Sequence, residues 1–133
     1  MSVVVSDAGA GPDSYNGGFV ALEDYVGVGG IDLPNTVDAA EVFAAVQGAE
    51  AIRLPFPAFA DGRAFSIARR LRQLGYKGRL RAAGHILADQ YPHARRCGFD
   101  EVELSDALAA RQKVETWTLT RAESYQERLT TAL

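Results

Sequence analysis

The chain has 133 residues, 47% of them hydrophobic, with 17 acids against 14 lysines and arginines, a net charge of −3 and one cysteine. That length suits one domain burying about two-thirds of its unfolded surface, and no apolar run reaches the ~20 residues of a membrane span. The lone Cys97 leaves no thiol partner for a disulfide framework or a multi-thiolate metal site, and the acidic balance weighs against nucleic acid as a partner.

Residues 1–18, MSVVVSDAGAGPDSYNGG, are rich in Gly, Ser and Asp and read as a flexible arm, with Val3–Val5 able to pair as an edge strand. Their short apolar run has no basic residue before it, so no signal peptide is expected and the cytoplasm is the expected location. Residues 19–133 read as a single α/β domain. Phe19–Tyr25 opens it as a short strand, Gly27, Gly29 and Gly30 mark a turn, and Ile31–Leu33 is a second short strand. Asn35 or Thr36 is the expected cap of a helix carrying Asp38 in its first turn and Val42, Phe43 and Val46 inward, with Gly48 ending it.

Ala51–Phe56 reads as a buried strand closed by Pro55 and Pro57. Asp61 then caps a helix whose apolar stripe is Phe65, Ile67, Ala68, Leu71 and Leu74, with Arg63, Arg69, Arg70 and Arg72 largely off the stripe. Gly75 and Gly78 bracket a tight connection to the strand Arg79–Gly84, where Leu80 and Ala82 share one face and Arg79 and Arg81 the other. The next helix either starts at a cap on Asp89, which puts Pro92 in the tolerant first turn, or starts near Ile86 and kinks. Ala94 and Cys97 face inward, and Gly98 is its stop. Phe99–Leu104 alternates Val102 and Leu104 against Glu101 and Glu103, Asp106 caps a helix to about Lys113, and a further helix covers about Arg121–Leu129. Strands alternating with helices predict a short parallel sheet with right-handed crossovers, extended by the N-terminal strands or by a second copy of the chain.

Charge is strongly segregated along this order. Residues 1–52 hold eight acids and no base, residues 53–96 hold ten bases and two acids, and residues 97–133 hold four bases and seven acids. Twelve of the fourteen bases are arginine, the better residue for two-point contact with carboxylates and oxyanions. The segregation means either an internal pairing of faces or a basic surface aimed at an anion or acidic partner.

The stretch FPAFADGRAFSIARRLRQLGYKGRLRAAG, then LADQ, RRCGFDEVEL and the later SYQ, resembles a bacterial family, domain-of-unknown-function family nine-three-four. The matching positions are Phe56-Pro57, Phe59, Asp61-Gly62-Arg63, Phe65-Ser66, Ala68-Arg69, Leu71-Arg72, Gly75-Tyr76, Gly78, Leu80-Arg81-Ala82, Gly84, Asp89-Gln90 and Arg96-Cys97-Gly98-Phe99-Asp100. The family is described as involved in sulfite reduction because its genes sit beside sulfite reductase genes, so the resemblance implies a role in sulfur assimilation without supplying a reaction. His85 stands where the family pattern has Asp, and Pro92 falls where its helix is unbroken.

Ligands in open α/β sheets sit beyond the carboxyl ends of the strands. Three loops there carry Asp61, Arg63 and Ser66, then His85 and Asp89, then Ser105 and Asp106. Asp61-Gly62-Arg63 is either an oxyanion site or a helix cap with a local ion pair. His85 and Asp89 pair for acid–base work only if the helix starts early; otherwise both are loop residues. His93 reads as a surface residue. Cys97, at a helix C-terminus where the dipole raises a thiol pKa, reads as inert packing. Gly27–Gly30 does not match a dinucleotide fingerprint, and no metal or cofactor is expected. Trp117, Tyr125 and Leu129 are either packing or partner-facing. The reading that follows is an accessory protein of sulfite reduction. It docks the reductase or an acidic electron carrier, or binds an oxyanion, through Arg69, Arg72, Arg81, Arg96 and their neighbours. The alternative is a small oxidoreductase or other enzyme of sulfur metabolism with its site on the polar rim at Asp61, Arg63, His85 and Asp89.

Overall fold

Alternation along the strands decides which face of the sheet is dry. Ile52, Leu54 and Phe56, then Leu80 and Ala82, then Val102 and Leu104, are all buried in one apolar cluster. The residues between them are Arg53, Arg79, Arg81, Glu101 and Glu103, so the opposite face is charged. A computed structural model describes residues 2–59 and 61–112. The strands are β1 (Ser2–Ser6), β2 (Gly9–Pro12), β3 (Phe19–Ala21), β4 (Gly30–Asp32), β5 (Ala51–Phe56), β6 (Arg79–Gly84) and β7 (Glu101–Ser105). The helices are α1 (Ala39–Val46), α2 (Arg63–Leu74), α3 (Tyr91–Cys97) and α4 (Asp106–Gln112), with 3-10 turns at Leu22–Asp24 and Ala88–Gln90.

All seven strands join one sheet in the order β2-β1-β7-β6-β5-β4-β3. β3 to β7 run parallel, while β1 pairs antiparallel with both β7 and β2. The chain is thus an α/β fold with a mixed, mostly parallel sheet, wider than the short sheet expected. Because β4 to β7 are added in one direction and such crossovers are right-handed, α1, α2 and α3 lie side by side on the same face. α1 packs on α2 and α2 on α3. α4 continues this layer over β7 and β1, with Ala109 buried.

Local chemistry explains most of the boundaries. Asp38, rather than Asn35 or Thr36, caps α1: its side chain accepts from the Ala40 N–H at 2.9 Å. Asn35 is buried and donates instead to Asp61 at 3.0 Å. α2 and α3 both stop at a left-handed glycine, Gly75 and Gly98. The N-cap of α3 is Gln90, one residue after the expected Asp89, and Pro92 lies in the first turn, where its missing N–H breaks no helical bond. Ser105 Oγ accepts from the Leu108 N–H at the start of α4, a role expected of Asp106.

The stretch expected to be a flexible arm, residues 1–18, contains the β1–β2 hairpin, and β1 lies inside the sheet with β2 outside it. Register with β7 places Val5 opposite Val102 and Val3 opposite Leu104, so the valines extend the dry face. Asp7 in the hairpin turn accepts hydrogen bonds from Tyr91 Oη at 2.7 Å and from Arg95 Nη2 at 2.8 Å, which pin the turn to α3. The helix expected over Arg121–Leu129, with Trp117 and Tyr125, lies outside the described residues.

Candidate functional site

The charged face of the sheet accounts for much of the arginine-rich segment. In register, Asp32, Arg53, Arg81 and Glu101 form one row across β4, β5, β6 and β7. Arg53 binds both Asp32 oxygens, at 2.6 and 2.8 Å, and reaches Glu103 at 3.1 Å. Arg81, whose side chain is 1% exposed, binds Glu101, Glu103 at 2.8 Å and both oxygens of Asp13, at 2.8 and 2.9 Å. Two arginines opposite each other would repel; here Glu103 bridges them, and the Phe19 ring lies against both guanidinium groups. Arg79 adds a contact to Glu101 at 3.5 Å. Asp13 and Asp32 from the acidic N-terminal part, with Glu101 and Glu103 of β7, therefore neutralise the basic strands, the internal pairing of faces that the sequence left open.

Three more arginines have structural posts. Arg72 donates to the carbonyls of Gly98, Tyr76 and Gly78 and to Asp100, all within 3.0 Å, so it ties the end of α2 to the end of α3. Arg95 pairs with Asp7. Arg63 is exposed but binds Asp61 through its backbone N–H, Nε and Nη2. Those bonds hold the Asp61 pKa down at about 2. Arg72 and Arg81 are thus not open binding groups; Gly62 rather than the expected Asp61 is the N-cap of α2, no side chain caps it, and Asp61 instead forms a local ion pair with Arg63.

The rim at the carboxyl ends of the strands is tied together by backbone. Gly84 ends β6 at φ +119°, and a Cβ there would stand 2.5 Å from the Phe56 carbonyl oxygen, so only glycine fits. His85 follows with its N–H bonded to the same carbonyl and its Nδ1 3.2 Å away, and its ring meets Phe59 edge-on. Gln90 Nε2 reaches the Phe59 carbonyl at 3.1 Å, joining the two rim loops. Residues 85–87 are not helical, so His85 and Asp89 share no helical turn. Ser66 and Asp89 are exposed.

A different group converges between α2 and α3. His93, Arg96 and Cys97 occupy one face of α3 at i, i+3 and i+4, and Arg69 comes from α2. The four line a cleft of about 270 Å³. His93 Nε2 is 3.6 Å from Cys97 Sγ, and its ring packs edge-on against Phe65 at 4.6 Å. Burial pushes the Cys97 thiol pKa up, with Arg69 and Arg96 pulling part of the way back. Burial and the same two arginines push the His93 pKa down. Thiol and imidazole are therefore both neutral at ordinary pH, under two fixed positive charges. The sequence offered a signal for this cluster in the spacing of His93, Arg96 and Cys97. It offered none for the approach of Arg69.

The family described as bacterial protein of unknown function (DUF934) matches residues 30–132. The chain belongs to this family. Comparison with curated proteins and with solved structures finds no match. The family match spans β4 to α4 and so includes the cleft, the Arg72 post and the rim, while β1, β2 and β3 lie before it. Among the described residues no helix is long and apolar enough to cross a membrane, and no group of three or more His, Cys, Asp or Glu is placed to hold a metal ion.

Proposed function

We propose that the chain is a cytoplasmic accessory protein of assimilatory sulfite reduction. It docks an acidic face of the reductase, or of its electron carrier, on the cationic surface of α2 and α3. The link to sulfite reduction rests on what the family resemblance implies. The docking surface rests on one observation: with Arg53, Arg63, Arg72, Arg79, Arg81 and Arg95 engaged internally, the exposed Arg69, Arg70 and Lys77 have no carboxylate partner among the described residues. Charges held in this way steer an acidic partner and raise its on-rate, and the effect fades with salt.

The test is retention of sulfite reductase subunits and their carrier on the immobilised protein. Binding at low salt that weakens at high salt, and is lost in Arg69→Glu/Arg70→Glu, supports docking. Equal retention by wild type and double variant at both salt levels overturns it. Arg72 and Arg81 are unsuitable for this test, because reversing either breaks the fold's own contacts.

A further inference from the structure

The cleft lined by Arg69, His93, Arg96 and Cys97 has chemistry that a docking face does not need. A protein partner is met by exposed charge on a convex surface, whereas here two arginines from two helices line a concavity. A thiol that is 5% exposed and the imidazole of an exposed histidine complete its lining. Among the described residues the lining carries no carboxylate. Guanidinium forks match the oxygen spacing of tetrahedral and pyramidal oxyanions, and the imidazole N–H and thiol S–H add donors.

We propose that this cleft binds a small dianionic oxyanion of the sulfate, sulfite or phosphate type, and that His93 takes up a proton as the anion enters. The groups facing His93 are Arg69 and Phe65 from α2, and Arg96 and Cys97 from its own helix. With no anion present, the two arginines disfavour an imidazolium and the ring stays neutral. A dianion between the guanidinium groups reverses the local field and presents an acceptor to the ring, so the imidazolium becomes the favoured form. Protonation and anion binding are then linked, and each strengthens the other. Cys97 enters as a neutral donor, and no covalent step is involved.

Sulfate is the probe of choice, because it remains a dianion throughout the neutral range and any pH dependence belongs to the protein. Calorimetry should show sulfate binding tightening roughly tenfold from about pH 8 to about pH 6. The chain has only two histidines, so NMR titration resolves both. Sulfate should raise the pKa of His93 and leave that of His85 in place. His93→Gln should bind sulfate more weakly and without pH dependence, and Arg69→Gln should weaken it by roughly tenfold or more. Circular dichroism confirms that each variant is folded. Sulfite and phosphate, titrated at one pH, then rank the ligands by geometry. A His93 pKa indifferent to sulfate, or a His93→Gln variant whose binding follows pH like the wild type, overturns the proposal. Arg70→Glu keeps this test separate from docking, since it should impair partner retention and leave sulfate affinity unchanged.

Discussion

Replacing Arg81 with Met tests whether the charged face of the sheet holds the N-terminal third in place. Methionine keeps an unbranched chain of similar reach and removes the charge together with its hydrogen bonds to Asp13, Glu101 and Glu103. Asp13, Glu101 and Glu103 then lose their shared cation. Removing one partner of a buried ion pair costs about 3–5 kcal/mol. Arg53 still reaches Glu103 and Arg79 still lies near Glu101, while Asp13 is 37% exposed and can turn to water, which argues for the lower end. For a domain of this size, a loss near 3 kcal/mol lowers Tm by about 10–15 °C. The pH dependence carries the sign. The bond from Arg81 holds wild-type Asp13 at about 2 against the ordinary 3.8, a stabilisation present above the ordinary pKa and lost below it, so the variant's deficit should shrink as pH falls from about 5 to about 3. Thermal melts of Arg81→Met and of the surface control Arg70→Met, at both pH values, measure this. A variant that melts within about 2 °C of wild type, or a deficit that does not shrink at the lower pH, would refute the reasoning.

Arg72→Ala removes the donor to three carbonyls and to Asp100. It should cost about 2–4 kcal/mol in urea titrations, against less than about 0.5 for Arg70→Ala; equal losses would show that Arg72 is an ordinary surface residue. Asp13 and Asp61 titrate at about 2 in the fold, against the ordinary 3.8. For Asp7, burial opposes ionisation, but bonds from Arg95 and Tyr91 outweigh it and also lower its pKa. Folded values below unfolded ones stabilise the protein fully above the ordinary pKa, so stability should decline as pH falls from about 4 towards 2. Asp13→Asn should flatten part of that limb, and a urea midpoint constant over this range would contradict the assignment.

Elements with strong local signals were legible. The stripe from Phe65 to Leu74 and its glycine stop located α2, the alternation in Arg79–Gly84 and Glu101–Leu104 located β6 and β7, and Gly98 located the end of α3, whose start the sequence left open between two readings. β2 was not legible, because Gly-Ala-Gly-Pro carries no strand propensity and exists as a strand only by pairing with β1. The fates of the arginines were hidden for a related reason. Arg81 meets Asp13 across 68 positions and Arg95 meets Asp7 across 88, and composition cannot match partners at that distance. Arg69, Arg72 and Arg81 looked alike as members of one basic run. The fold makes the first a cleft residue, the second a tie between helix ends and the third a buried counterion. His93 and Cys97 were read singly, as surface and packing, and the one is exposed and the other buried; single positions could not show that they line one cleft with Arg96 and Arg69.

The placement of β1 has a consequence during synthesis. β1 leaves the ribosome well before its inner neighbour β7, the last strand among the described residues. At ordinary elongation rates of about 5–20 residues per second, the roughly 100 residues between them take about 5–20 s to appear. Through that interval the valines of β1 wait without the β7 residues that cover their edge in the fold.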